Sequence, residues 1–322
     1  MNSNHISWGI IGCGDVAEVK SGPAFNKVPS SKLSAVMRRD ASKAQDFAKR
    51  HQVPLWYDDA DALLANDDIN AVYIATPPSS HLEYALKSLK AGKHVYLEKP
   101  MVMSTEEADI LVSEAAKSDK KLVVAHYRRA LPMYAQVKKI LESEKLGEVK
   151  FVDIRFSQVH NDLIASNWRL DSEISGGGLF HDLAPHQLDL MYFFFGEFTY
   201  AKGFALNQSG KTNVSDMVNG IIDFNNGVQF RGTWDFDAVE GLEKDECIIY
   251  GSKRIISFSF YGDELILERN GKETKTTYQN PLNIQQPFID QTVKYFLEEG
   301  PNPCSVEEGK TIISLIDTFT NN

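Results

Sequence analysis

The stretch Ile6-Ser7-Trp8-Gly9-Ile10-Ile11-Gly12-Cys13-Gly14-Asp15-Val16-Ala17 decides the fold. A short apolar strand over residues 7–11 runs without a break into a Gly-x-Gly-x-x-Ala turn, and a helical pattern follows Gly14. Glycines at these two positions permit a tight turn and let the backbone approach a pyrophosphate, which the N–H groups of the following turn then meet. The same letters occur in ordinary βα turns; the strand before them and the helix after them are what favour a dinucleotide site. Residues 12–17 (Gly12, Cys13, Gly14, Asp15, Val16, Ala17) are therefore candidate cofactor contacts. Ser21-Gly22-Pro23 should end this first helix early, with a second short helix beyond it.

Outward from that motif, apolar strands alternate with helical patterns as far as residue 125. Strands are expected at 33–37, 71–75, 94–97 and 122–125, with a short extended piece ending at Trp56-Tyr57. Helices are expected at 41–51, 58–66, 82–91 and 105–118. Such alternation implies parallel βαβ units with right-handed crossovers. The grammar then changes. Helical patterns at 132–143 and 179–195 flank a strand at 149–157 and a loop holding Asn167-Trp168-Arg169. Strand-like runs follow at 200–206, 217–224, 228–236, 246–251, 254–260 and 264–268. Asn225-Asn226-Gly227 and Asn270-Gly271 are hairpin turn signals. Helical patterns at 288–297 and 306–319 close the chain. The expected fold class is α/β: a Rossmann domain over 1–124, then an α+β domain over 125–322 with a large open, mainly antiparallel sheet. Its aromatic residues Phe224, Phe230, Trp234, Phe236, Phe258 and Phe260 serve either its core or a partner face.

Composition agrees with a two-domain globular chain. Of 322 residues 43% are hydrophobic and 24% charged, which excludes a disordered chain or a coiled coil. The formal charge of −10 weighs against nucleic acid as a partner. Cys13, Cys247 and Cys304 are too few and too scattered for a disulfide framework or a zinc ribbon, so no metal is expected. The apolar run 190–195 stops at Gly196, short of a membrane span. Residues 1–14 lack the charged start and apolar run of a signal peptide, so the expectation is a cytoplasmic protein with no membrane partner.

Three strand ends carry further chemistry. An acidic residue commonly ends the second strand of an NAD site, to hold the ribose 2′-hydroxyl; here the strand ends in Arg38-Arg39-Asp40. A guanidinium suits a 2′-phosphate, which favours NADP over NAD through Arg38, with Arg39 in support. The other reading is a solvated basic turn, with Asp40 reaching the ribose. Thr76, Pro77 and His81 follow the strand 71–75 in a loop that should border the cofactor, and are candidate cofactor contacts, although His81 also fits a helix-capping role. Glu98-Lys99-Pro100 ends the strand 94–97, where a lysine is well placed for chemistry; the bland alternative is a surface Glu–Lys pair. Further on, Asp182 and His186 stand four apart on one helix face, as an acid/base pair or as a buried structural pair. Pro185 is read into the first turn of that helix, where its missing N–H costs little.

In residues 12–17, 75–81, Glu98-Lys99-Pro100, His126-Tyr127-Arg128-Arg129 with Pro132, Trp168-Arg169 and 176–189, the chain resembles the Gfo/Idh/MocA family, the glucose–fructose oxidoreductase and inositol dehydrogenase group. The resemblance covers nearly the whole chain. It implies NAD(P)-dependent hydride transfer at a hydroxyl or carbonyl, often of a sugar or cyclitol. It implies Lys99, Asp182 and His186 as the catalytic set, and Glu98 and Lys99 among the cofactor contacts. Tyr127, Arg128, Trp168, Arg169 and His186 would line the substrate site, with Arg129 beside Arg128. Histidine at 186, where some members carry tyrosine, is the choice of the sugar dehydrogenases. Homodimers or homotetramers through the C-terminal sheet are implied as well. Two other members' activities stay open: an NAD-dependent glycoside hydrolase, and a non-catalytic dinucleotide-sensing regulator, against which the retention of Lys99, Asp182 and His186 speaks.

Overall fold

The structure is a computed structural model that describes residues 5–159 and 168–321; Asn167 of the expected loop lies outside them. The chain divides into two compact units, Met1–Arg128 with Pro281–Ile313, and Arg129–Asn280 with Ser314–Asn322. The first unit thus ends slightly beyond residue 124 and takes in a C-terminal stretch that the sequence pattern grouped with the second domain.

The first unit holds β1 (Ile6–Ile11), β2 (Ser31–Met37), α1 (Ala41–His51), β3 (Leu55–Tyr57), α2 (Ala60–Leu64), β4 (Ala71–Ile74), α3 (His81–Lys90), β5 (His94–Leu97), α4 (Thr105–Lys117) and β6 (Leu122–Val124). Its six strands are all parallel, in the order β3-β2-β1-β4-β5-β6. Strands such as β4 are buried along their whole length, as expected where helices cover both sheet faces. The order reverses between β1 and β4, and the loops leaving these two strands diverge there, which is where such sheets bind ligands. Three of the helix starts are marked by capping side chains. Asp40 accepts from the Lys43 N–H to begin α1, and Asp59 and Ser104 do the same for α2 and α4. Gly92, at φ 71°, follows the end of α3.

The helix after the glycine turn breaks where Pro23 requires it. Residues Ala17–Ser21 form a π turn closed by the Gly22 N–H on the Ala17 carbonyl, and a short 3-10 turn, Gly22–Ala24, follows. The returning C-terminal stretch completes this unit for a packing reason. Phe296 lies 5.7 Å from the Trp8 ring and Phe288 6.2 Å from Tyr96, both inside the core. The Cys304 carbonyl accepts the Val124 N–H at 3.1 Å, on the otherwise open edge of β6.

The second unit contains α5 (Pro132–Leu141), β7 (Val149–Ser157), α6 (Ser172–Ser175), α7 (Leu179–Phe195), β8 (Phe198–Leu206), β9 (Met217–Phe224), β10 (Gln229–Asp235), β11 (Lys244–Gly251), β12 (Ile255–Phe258), β13 (Glu264–Arg269) and β14 (Lys272–Thr277). Two helices follow: α8 (Gln286–Phe296), in the first unit, and α9 (Val306–Thr320), which is divided between the two. The eight-stranded sheet runs β14-β13-β12-β11-β7-β10-β9-β8, antiparallel except where β7 meets β10. One face is apolar, with Val152, Ile154, Ile222, Trp234, Ile249 and Ile256 buried. Phe180 of α7 stands edge-on to Trp234 at 5.1 Å, and Tyr134 of α5 donates to the Phe260 carbonyl at 2.8 Å. These contacts place the core between the sheet and α5/α7.

Three details differ from the sequence reading. β14 was not foreseen, because all six of its side chains are exposed and it carries no apolar alternation. Only its turn announced it: Asn270 and Gly271 take φ 53° and 73°, the backbone of a tight hairpin. The six aromatic residues Phe224, Phe230, Trp234, Phe236, Phe258 and Phe260 are all buried core. Among the exposed apolar side chains, Tyr200, Phe204, Leu206 and Ile221 lie together on β8 and β9. Among the described residues, no helix is long and apolar enough to cross a membrane.

Candidate active site

The glycine turn is built for close approach. Gly12 sits at φ 92°, and a Cβ there would meet Thr76 Cγ2 at 2.8 Å and the Ala75 carbonyl carbon at 2.9 Å. A side chain at Gly12 is thus barred both by conformation and by the loop after β4. At Gly14 a Cβ would meet nothing within 4 Å, so the space above the turn is open. The Gly12 and Cys13 N–H groups bond the Met37 carbonyl at 3.0 and 3.1 Å, which ties the turn to the end of β2. A turn that is crowded beneath and open above fits a dinucleotide pyrophosphate. Asp15 is exposed, Val16 half-buried and Ala17 buried. Burial pushes the Cys13 thiol up to about 11, with the Arg38 charge opposing, so this cysteine is an inert wall.

Arg38 Nη1 lies 3.4 Å from the Cys13 carbonyl, bringing its guanidinium against the glycine turn. Arg39 is exposed. Asp40 is committed elsewhere: its carboxylate accepts from Ser42 Oγ at 2.6 Å and from the Lys43 N–H at 3.2 Å, as the cap of α1. The Ser42 hydroxyl, with the Lys43 N–H, holds the Asp40 carboxyl below its ordinary range.

Thr76 and Pro77 are half-buried at the end of β4. His81, expected as a cofactor contact, is instead almost fully buried. Its ring nitrogens face the Pro100 carbonyl at 2.9 Å and the Thr76 carbonyl at 2.8 Å. Burial lowers its pKa, and a neutral ring donates to one of the two. The His81 ring therefore sits between the loops after β4 and β5 as part of the interior. Glu98 requires a similar correction. Its carboxylate, 7% exposed, accepts from Tyr73 Oη at 2.5 Å and Gln285 Nε2 at 2.6 Å, so it belongs to the interior. Lys99 follows it, half-buried, and the Lys99–Pro100 bond is cis. Tyr127 and Arg128 are buried, with the guanidinium 5.8 Å from the tyrosine ring centre.

In the second unit, Gly176, Gly177 and Gly178 take φ 87°, 155° and 86° and lead into α7. Two of them are filled from outside: a Cβ on Gly177 would strike the His181 ring, and one on Gly178 would strike Val214. Because the helix begins at Leu179, Pro185 stands inside it rather than in its first turn. Proline there leaves the His181 carbonyl without its usual helical donor. Asp182 lies near the start of α7, and His186 is one turn further on and buried. Asp182 has a partner that the i, i+4 reading missed: Arg169 Nε donates to Asp182 Oδ2 at 2.9 Å. The Arg169 guanidinium also stacks 4.6 Å over the Trp168 ring. The three named side chains Trp168, Arg169 and Asp182 thus form one group. Arg129 is corrected to a structural role, gripping the buried Asp189 carboxylate through Nε at 3.0 Å and Nη2 at 2.6 Å. The neighbouring His181 is buried, which lowers its pKa to about 4.

Residues 6–126 match the oxidoreductase family with an NAD-binding Rossmann fold, and residues 134–257 match the GFO/IDH/MocA C-terminal domain. Oxidoreductase P35 of Formosa agariphila is 52% identical over 320 residues, covering 98% of both chains. A trans-1,2-dihydrobenzene-1,2-diol dehydrogenase of Bos taurus is 30% identical over 312 residues, 92% of this chain and 90% of that one. Among solved structures, levoglucosan dehydrogenase in complex with NADH and levoglucosan superimposes with a TM-score of 0.86. It is 23% identical and covers 98% of this chain and 96% of the other. With both halves matched and a half-identical relative along its whole length, the chain belongs to the GFO/IDH/MocA family of NAD(P)-binding oxidoreductases.

Proposed function

We propose that the protein transfers hydride between a nicotinamide dinucleotide and a hydroxyl or carbonyl carbon of a sugar, polyol or related small molecule. The observation that carries this is the glycine turn at the ends of parallel strands, crowded beneath Gly12 and open above Gly14. NADP(H) is the preferred cofactor in this reading. The Arg38 guanidinium against the turn supports that preference, as does the engagement of the Asp40 carboxylate in capping α1.

When bound, the nicotinamide exchanges hydride with the substrate carbon, and the protein handles the matching proton. In oxidation, His186 accepts the hydroxyl proton, and in reduction it returns it. Lys99 hydrogen-bonds the same oxygen. Asp182, with Arg169 on its carboxylate, orients His186 or grips a neighbouring substrate hydroxyl. Tyr127, Arg128 and Trp168 complete the substrate contacts. Homodimers or homotetramers form through the sheet of the second unit, supported by the exposed apolar side chains of β8 and β9. The test is a nicotinamide absorbance screen of sugars, sugar acids, inositols and dicarbonyls with both cofactors, alongside dinucleotide titration by fluorescence. Turnover with one class and tighter binding of NADPH are expected. Absence of saturable binding of either dinucleotide would overturn the reading.

A further inference from the structure

A buried polar network in the first unit ends beside Lys99. The Glu98 carboxylate accepts hydrogen bonds from Tyr73 Oη at 2.5 Å, from Gln285 Nε2 at 2.6 Å and from the Lys99 backbone N–H at 3.2 Å. Gln285 is fully buried, and its other amide atom accepts from Tyr96 Oη at 2.9 Å. Tyr73 and Tyr96 stack at 5.1 Å, so the two phenols and the amide form one rigid layer around the carboxylate. Ser21 Oγ lies 3.1 Å from Tyr73 Oη, at the end of the π turn that follows the glycine loop.

The same glutamine is tied to that turn through the backbone. The Gln285 N–H bonds the Lys20 carbonyl at 3.3 Å, while Asn283 Nδ2 bonds the Val19 carbonyl at 3.2 Å. Lys27 Nζ in turn donates to Asn283 Oδ1 at 2.7 Å. One residue from the C-terminal return therefore joins the π turn after the glycine loop, through its backbone, to the strand end that presents Lys99, through its side chain. Tyr73 and Gln285 share Glu98 Oε1 while the Lys99 N–H takes Oε2, so loss of either side-chain donor weakens the hold on this buried carboxylate.

We propose that Gln285 is a positioning residue for Lys99, acting through the Glu98 carboxylate, with Tyr73 as the second donor of the same clamp. The proposal rests on the assigned role of Lys99 at the reacting oxygen. Misplacing a reacting group by about an ångström costs on the order of a hundredfold in rate. Gln285→Met keeps the length of the side chain and removes both hydrogen bonds. Tyr73→Phe removes one donor and little volume, and serves if the first variant does not fold.

The experiment is a double-mutant cycle with Lys99→Met, read as kcat and KM on a substrate found in the carbohydrate screen, with NADPH affinity measured by fluorescence. Gln285→Met should lower kcat by about ten- to a hundredfold. KM and NADPH affinity should stay within about threefold, the mark of a loss confined to the reacting step. Tyr73→Phe should lower kcat by several-fold. On a Lys99→Met background both substitutions should be nearly silent, because a residue that acts through Lys99 has nothing left to act on. Full activity of Lys99→Met would remove the assigned role of Lys99 and this proposal with it. If Lys99→Met is impaired, two results overturn the proposal alone. One is normal kcat in folded Gln285→Met and Tyr73→Phe; the other is an equal loss on both backgrounds.

Discussion

Arg38 and Asp40 stand two positions apart, and the fold gives them different work. Arg38 lies against the glycine turn, while Asp40 closes the start of α1. Arg38→Asp is expected to weaken NADPH binding by about ten- to a hundredfold, the value of one charge-assisted contact, and to spare or improve NADH. Titrations of both dinucleotides on parent and variant decide it, and equal affinities in the parent would contradict the preference. Lys99→Met and His186→Ala should each cut turnover by about 10²–10⁴-fold with dinucleotide affinity near normal, as measured by steady-state kinetics beside fluorescence titration. At this scale the sequence offered residue types suited to the chemistry but not their partners. Glu98, His81 and Arg129 all read as site residues because charge and ring nitrogens look functional in one dimension. Each is spent on a partner far away in the chain: Gln285, the Pro100 carbonyl and Asp189.

Most elements were legible because their signals are local. Asp40, Asp59 and Ser104 start helices by capping them, and α1, β5, β7, α7 and β9 lie where pattern and capping place them. Other features follow only from neighbours. Gly203, Gly220 and Gly232 of β8, β9 and β10 pair across the sheet, and Cβ atoms at the first two would collide with Phe319 of α9. Their small size is a packing requirement that no local pattern shows. β5 begins with His94, whose ring stacks 4.8 Å from Phe296 and whose Nδ1 accepts the Lys121 N–H at 3.0 Å. Burial, with Lys120 and Lys121 adding to it, lowers His94 to about 4, and burial does the same for His181. Both groups bind protons more weakly in the folded chain than in the unfolded one, whose histidines titrate near 6.5. Their contribution to stability is therefore full above about 6.5 and is lost as pH falls toward about 4. Thermal unfolding midpoints should decline across that window, and His94→Gln, which can still accept the Lys121 N–H, should flatten the decline. An unchanged slope in that variant would remove His94 as a cause.

For the whole molecule, the outer face of the β8–β9 edge is one apolar surface that a single chain leaves uncovered. Tyr200, Phe204, Leu206 and Ile221 are about half exposed there, whereas aromatic residues of the inner face are buried. Light scattering at micromolar concentration is expected to give a dimer or tetramer, and Phe204→Lys, which places a charge in that patch, should shift it toward 36.1 kDa. A monomeric parent would reject assembly. The sequence by itself determined the parallel αβ half, the mainly antiparallel sheet after it and the glycine turn. Hydrophobic period, capping side chains and turn glycines act over a few neighbouring residues and can be read in order. Only the tertiary structure decided that residues 281–313 return to the first unit, that Gln285 closes on Glu98 and that Arg169 takes Asp182. Those outcomes depend on which buried polar atom finds a partner and which apolar face finds a cover, and both are settled by segments brought together from distant parts of the chain.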